Sequence, residues 1–346
     1  MVEAPTEGQG QVRVEDVHVA ATGSWLPPTK DVGAAVRAGE LGPDEADRLG
    51  LASVCVSDEV SAPEMAARGG RRAVARAGHA AEEFAALLHA ASHRQGPELW
   101  SAAAYVQAGT IGGVCPAVEV RQVCNAGMAA LELGVARLLV EPGKDSVLLT
   151  AADRFPAPGF DRWHSDPGTA YGDGGAALVL PRRAGPLRLL SIATESAPEL
   201  EGMHRVGLSA VTVAGADRCV DVASARAAFT RRMGVDFVVS RIVEGQGRAV
   251  RRALSDADTT MDAISLFVLP NLGAGRMRAL YFHSLRIAPE RSTWAWGRTV
   301  GHLGAADQFA ALDRCVAGTG VKGARYLLLG AGNGFSWSAA VLEATR

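Results

Sequence analysis

Cys124 stands in the run Val123-Cys124-Asn125-Ala126-Gly127, where a short apolar stretch gives way to a long segment rich in alanine and leucine. A strand-to-helix turn there puts the sulfur beside a helix N-terminus, whose unpaired N–H groups and dipole favour thiolate over thiol. A thiolate attacks an acyl thioester and leaves again readily, as a covalent acyl intermediate requires. A cysteine taken alone is more often a buried structural thiol, but the small residues around Cys124 leave room for a substrate. His302, in Val300-Gly301-His302, also precedes a helical stretch. A histidine near a turn is more often packed than reactive; what singles out His302 is that it mirrors Cys124 in a second half of the chain. His164 and His204 are only candidate pocket residues.

The elements that must hold these residues follow from local pattern. Strands are predicted over 17–23, 84–90, 117–120, 146–150, 176–180, 264–269 and 325–329, as short apolar runs bounded by turn residues. Helices are predicted over 62–77, 99–108, 126–140, 275–284 and 305–316. Cys124 precedes a helix and then a strand; His302 precedes a helix and then a strand at nearly the same offset. The order predicts a duplicated α/β unit with sheets covered on both faces. A tail is expected over 1–12, a half carrying the nucleophile over 13–185, and a half carrying His302 over 186–346.

Bulk composition narrows the function classes. With 48% hydrophobic and 21% charged residues, the 346-residue chain can build a sizeable core, and a net charge of −2 gives no footprint for nucleic acid or an anionic membrane. No apolar run reaches bilayer length, and the polar, acidic start is unlike a signal peptide. Five cysteines without C-x-x-C spacing predict free thiols and a cytoplasmic protein.

Four segments, in order along the chain, carry a resemblance. They are Ala21-Thr22-Gly23-Ser24-Trp25-Leu26-Pro27; Gly113-Val114-Cys115-Pro116-Ala117 followed by the Cys124 run; Tyr171-Gly172-Asp173-Gly174-Gly175-Ala176-Ala177; and Gly330-Ala331-Gly332-Asn333-Gly334-Phe335-Ser336-Trp337. Together they resemble the ketoacyl synthase III branch of the thiolase superfamily. The resemblance implies the five-layered duplicated thiolase fold, normally a homodimer, with Cys124 as acyl carrier and no resident cofactor or metal. It implies an acyl thioester of coenzyme A or of an acyl carrier protein as donor.

Two departures bear on the reaction. Asn271, in Leu269-Pro270-Asn271-Leu272, stands where the family's condensing enzymes carry a histidine, and His302 stands where they carry an asparagine. Asn271 and His302 could still offer two donors to a thioester oxygen, as decarboxylative condensation requires. A histidine at the second position also suits activation of Cys124 and deprotonation of a hydroxyl or amine. The run Gly301-His302-Leu303-Gly304-Ala305-Ala306-Asp307 is similar to synthase-III-like acyltransferases of antibiotic tailoring, which acylate sugars or aminocyclitols.

Asn333 is expected to lend its N–H to the oxyanion hole and its side chain to orient His302. Asp307 is the rival orienter, disfavoured because five residues is poor spacing for one helix face. Asp173 is expected to support its turn and Cys115 to be structural. Trp294, Trp296 and Phe335 are expected to line the acyl pocket. The segment His164-Ser165-Asp166-Pro167-Gly168-Thr169 lacks an arginine where the resemblance implies one for coenzyme A, which leaves the carrier-protein donor open. The expected function is acyl transfer to a small hydroxyl or amine acceptor. The alternatives are a decarboxylative ketoacyl synthase III and a non-catalytic synthase-like partner subunit.

Overall fold

The computed structural model describes residues 16–141, 143–182, 184–205, 219–316 and 320–346. The expected tail over 1–12 lies outside the described residues. The strands of the first half are β1 (His18–Val19), β2 (Ala21–Trp25), β3 (Thr29–Asp31), β4 (Ser53–Cys55), β5 (Phe84–Ala90), β6 (Ala117–Val120), β7 (Ser146–Asp153) and β8 (Gly174–Pro181). Those of the second are β9 (Leu187–Ser196), β10 (Ile264–Val268), β11 (Arg325–Gly332) and β12 (Ser336–Ala344). Every residue of β5, β7 and β8 is buried, so their unbroken apolar runs serve two covered faces.

The strands form two five-stranded sheets, ordered β2-β8-β7-β5-β6 and β1-β9-β12-β11-β10, and β3 pairs with β4 apart from them. The duplication is explicit in four strands of each. In β2-β8-β7-β5 and in β9-β12-β11-β10 the first two pairings are antiparallel and the third is parallel. The fifth strands differ. β6 extends the first sheet parallel to β5, whereas β1 joins the second sheet by pairing antiparallel with β9. The start of the first half is thereby stitched to the second.

Helices complete five layers. The helix Ala62–Ala77 covers one face of the first sheet, and Val235–Asp256 covers the outer face of the second. Between the sheets lie Ala126–Val140 and the helical run from Asp307, which touch strands of both. This is the duplicated thiolase architecture. The stretch Val123–Val140 is apolar enough by length and composition to cross a membrane, but here half of it is buried as the central helix between two sheets.

Local chemistry explains the bounds. Ala62–Ala77 starts after Ser61, whose hydroxyl accepts from the Glu64 N–H at 3.4 Å, and stops at Gly78 in the left-handed conformation (φ 73°). The helix expected from 99 begins at Ala102, because Ser101 caps it by accepting from Ala104 N at 3.2 Å. The helix expected over 275–284 is Ala274–Met277 continued as a wider π turn over Arg278–His283. That expected over 305–316 is a 3₁₀ turn (Gly304–Ala306), an α segment (Asp307–Ala311) and a π turn (Leu312–Val316).

Candidate active site

Cys124 lies between β6 and the helix Ala126–Val140, and its turn is under strain. Val123 adopts φ 49°, a left-handed conformation that is costly for a β-branched residue. Tertiary contacts hold the turn: the Asn125 side-chain amide donates to Gln122 Oε1 at 2.6 Å and to Ser338 Oγ at 2.8 Å. The end of β11 presses on the same loop. A Cβ on Gly332 would stand 2.5 Å from the Gln122 carbonyl oxygen and 2.8 Å from Asn125 N, so only glycine allows the approach. Asn333 follows directly and lines one cavity with Cys124 and His302.

The motif around Tyr171 holds His302. The His302 N–H donates to Ala170 O at 2.9 Å, and its carbonyl accepts from Gly172 N at 2.9 Å. The Tyr171 ring meets the imidazole edge-on, with centroids 5.1 Å apart. Asp173 braces the motif by accepting from the backbone N–H groups of Ser57 at 2.8 Å and Phe155 at 2.9 Å. Cys115 sits beside Gln107, outside the cavity lining.

The orienter of His302 is Asp307 rather than Asn333. Asp307 Oδ2 lies 2.5 Å from His302 Nδ1, with both groups buried. The helix-spacing argument fails because the two residues do not share a helix. The 3₁₀ turn Gly304–Ala306 stands between them and returns the chain, with Gly304 at φ 60°. Asp307 is further fixed by Asn271 N at 2.9 Å, Asn271 Nδ2 at 2.8 Å and Leu303 N at 2.8 Å. Four donors thus satisfy a carboxylate that would be prohibitive to bury bare.

Asn271 is a second correction. Its side-chain amide donates to Asp307, and Asn271 is absent from the cavity lining, which its neighbours Pro270 and Leu272 join. It therefore supports the His302–Asp307 pair and does not face a thioester oxygen.

With Nδ1 taken by Asp307, Nε2 of His302 is left for Cys124, which lines the same cavity. Burial opposes the imidazolium. The Asp307 carboxylate and the charge on Cys124 outweigh it and hold His302 well above its ordinary value.

Asp153 anchors the turn carrying this pair. It accepts from Ala305 N at 2.8 Å, His93 N at 2.7 Å and Ser92 Oγ at 2.7 Å, and burial pushes its carboxyl up to about 6 against those bonds. A Cβ at Gly304 would stand 2.2 Å from Asp153 Oδ2, at a φ that L side chains rarely adopt. Gly304→Ala is therefore expected to cost roughly 1–3 kcal/mol of stability, read by denaturant unfolding. An unfolding midpoint equal to wild type would contradict this.

The cavity has a volume of about 450 Å³. Val235, Val238 and Ile242 form an apolar wall on Val235–Asp256, a helix for which the sequence carried no motif. Phe335 joins this lining, together with Trp337. Trp294 and Trp296 do not: Trp296 packs on the core between the sheets and Trp294 on the outer cores. Both belong to the segment from Trp294 to Gly297, which packs next to the Pro289–Arg291 turn rather than at the cavity. His204 lines the cavity, whereas His164 is exposed and bonded to Asp161 at 2.9 Å.

Sequence reading also missed a charged cluster in the cavity. Asp166 accepts from both terminal guanidinium nitrogens of Arg276, at 2.9 and 2.6 Å, and from one of Arg226, at 3.0 Å. The segment 164–169 holds no arginine; these two arrive from Ala274–Met277 and Val222–Met233. Burial alone would raise the Asp166 carboxyl, but Arg276 and Arg226 hold it far below the usual carboxylate range. A depressed carboxyl stabilises the fold above about pH 4, its unfolded value, and that stability is lost as pH falls through the folded value. Asp166→Asn is expected to be less stable at neutral pH and to lack this acid component, as urea midpoints across pH 3–7 would show. An acid limb equal to wild type would contradict it.

Comparison with known proteins gives the family. The acyltransferase ChlB3 is 36% identical, with 96% of this chain and 98% of that chain covered and a TM-score of 0.90. The chain belongs to the ketoacyl synthase III-like branch of the thiolase superfamily. A sequence profile of the 3-oxoacyl-(acyl carrier protein) synthase III C terminal matches residues 254–344. Two more distant structures share the fold. The synthase FabH of Xanthomonas oryzae is 19% identical with a TM-score of 0.76, covering 96% of this chain and 100% of that chain. An OleA variant of Xanthomonas campestris is 19% identical with a TM-score of 0.75, covering 98% and 100%. Membership makes the chain an acyl-transferring enzyme.

Proposed function

We propose that the protein carries an acyl group on Cys124 and passes it to a hydroxyl or amine of a small acceptor. The observation that carries this is the buried His302–Asp307 pair, set in one cavity with the partly buried Cys124, with Asn271 committed to the carboxylate. The Cys124 thiolate attacks the donor carbonyl, a new C–S bond forms, and the departing thiolate takes the His302 proton. Backbone N–H groups of Cys124 and Asn333 bind the oxyanion. Once the sulfur is acylated its negative charge is gone, so His302 loses one of the influences that favour imidazolium and becomes a better base. His302 Nε2 then takes the acceptor's proton, the C–O or C–N bond forms, and Cys124 leaves as thiolate.

The decarboxylative reading is less well supported. An enolate needs two donors on the thioester oxygen, and Asn271 is turned to Asp307 and does not line the cavity. The idle-partner reading leaves a charged pair aimed at Cys124 without purpose. The donor is a thioester of coenzyme A or an acyl carrier protein, and the resemblance of the 301–307 run supports a sugar or aminocyclitol acceptor in natural-product tailoring. Five cysteines with no disulfide among the described residues fit a reducing, cytoplasmic setting. A homodimer is supported by the sheet-edge strand β6, where exposed Val118 lies near exposed Val114 in sequence.

Intact-mass measurement tests the proposal. A mass increase equal to the acyl group should form with a thioester donor and disappear on adding an alcohol or amine acceptor, without carbon dioxide release from a malonyl thioester. Carbon dioxide with a C–C bonded product would instead establish the synthase, and the absence of any adduct would establish neither transfer chemistry.

A further inference from the structure

The polar end of the cavity lacks a partner. Arg276 and Arg226 bring two positive charges against the single carboxylate of Asp166. The carboxylate is saturated: besides the guanidinium nitrogens it accepts from Tyr171 Oη at 3.2 Å, and Arg276 also donates to Thr169 Oγ1 at 2.6 Å. Arg226 uses one nitrogen, Nη2, for Asp166 at 3.0 Å and for His204 Nε2 at 3.4 Å; among the described residues its Nη1 and Nε have no partner. Its side chain is 29% exposed, in a cavity whose other walls are mainly apolar.

His204 adds an independent observation. A guanidinium only donates, so His204 Nε2 must accept. Burial and the neighbouring Arg226 lower this histidine to about 4, so it is neutral at pH 7 and its proton sits on Nδ1. That Nδ1 is buried with no hydrogen-bond partner. A surplus positive charge and an orphaned N–H therefore occur at one end of the cavity. Both lack the same thing, an oxygen that accepts.

The position of the cluster indicates which molecule supplies the oxygen. Arg276, Arg226, Tyr171 and His204 line the same cavity as Cys124, whose sulfur carries the acyl group in the proposed reaction. A substituent on a short acyl group bound to that sulfur can therefore reach the cluster, while the rest of the group lies against Val238, Ile242, Phe335 and Trp337. We propose that the acyl group carried on Cys124 bears an acidic oxygen, a carboxylate or an acidic hydroxyl, held by Arg226 and by the Nδ1–H of His204. This rests on Cys124 as the acyl carrier and names the class of acyl group it selects.

The acylation half-reaction, followed by intact mass without acceptor, isolates acyl recognition from acceptor binding. Two pairs of pantetheine thioesters, succinyl against butyryl and 2-hydroxybenzoyl against benzoyl, separate the two sources of the oxygen. Wild type should load the oxygen-bearing member of at least one pair about ten- to a hundredfold faster, the range for a charge-assisted hydrogen bond. Arg226→Met should bring that ratio close to one, and His204→Phe, which keeps a ring against Phe335, should reduce it. Because a ratio is read, a general loss of activity cancels; should Arg226→Met fail to fold, His204→Phe decides. Wild-type ratios near one in both pairs would overturn the inference while leaving the acyl-enzyme intact, as would a ratio that both variants preserve. No adduct from any of the four thioesters would mean that the acyl-enzyme itself is wrong.

Discussion

Asp307→Asn is expected to lower kcat/KM by about 10⁴-fold, the loss seen when a histidine's carboxylate partner is made neutral in a related constellation. Asp307 lies 2.5 Å from His302 Nδ1 and is among the causes that raise this histidine. Asparagine keeps the shape but offers one acceptor oxygen where four donors now converge on two. Either its amide group faces Nδ1 and forces the proton onto Nε2, the wrong tautomer for a base, or it faces the donors of Asn271 and Leu303. The His302 pKa should fall, and with it the imidazolium that accompanies the Cys124 thiolate. Acylation and deacylation should both slow, with the pH profile of acylation displaced because the imidazolium persists to a lower pH. Single-turnover acylation and turnover across pH 5–10 check this. Near wild-type rates with an unmoved profile would remove Asp307 from the positioning of His302.

The largest loss is expected for Cys124→Ala. Removing a catalytic nucleophile costs about 10⁶-fold in a well-studied hydrolase, and here the sulfur carries the intermediate itself. No acyl mass should appear on the variant with any thioester, whereas wild type should show one equivalent. The substitution is tolerable for the fold, since Cys124 is only partly buried and borders a cavity. It should also lower the His302 pKa, because the sulfur's charge is one of the causes that raise it. An NMR titration of the imidazole would read this shift apart from activity. An acyl adduct that persists in the variant would place the acyl carrier at another residue.

Legibility in the sequence followed how locally each feature is encoded. The strands β5 and β6 and the helices Ala62–Ala77 and Ala126–Val140 were readable to the residue, because apolar runs, Ser61 and Gly78 mark their limits. The helix pair Val222–Met233 and Val235–Asp256 went unread, although it walls the cavity. It is studded with arginines, and its apolar residues divide between a core face and a cavity face, so no motif stands out. β9 also went unread, since its alternating burial is set by pairing with β1 and β12.

The site divides in the same way. Sequence alone determined the duplicated α/β order and singled out Cys124 and His302 as candidates, because strand-to-helix turns and element order are local properties. Only the tertiary structure decided what surrounds them. Asp307 became the orienter because a 3₁₀ turn at Gly304 carries it back to His302. Asn271 became its support because a buried carboxylate collects donors, and Asp166, Arg226 and Arg276 met although they lie far apart in the chain. Burying a charge requires partners, wherever the fold brings them from, and spacing along the chain does not record that requirement.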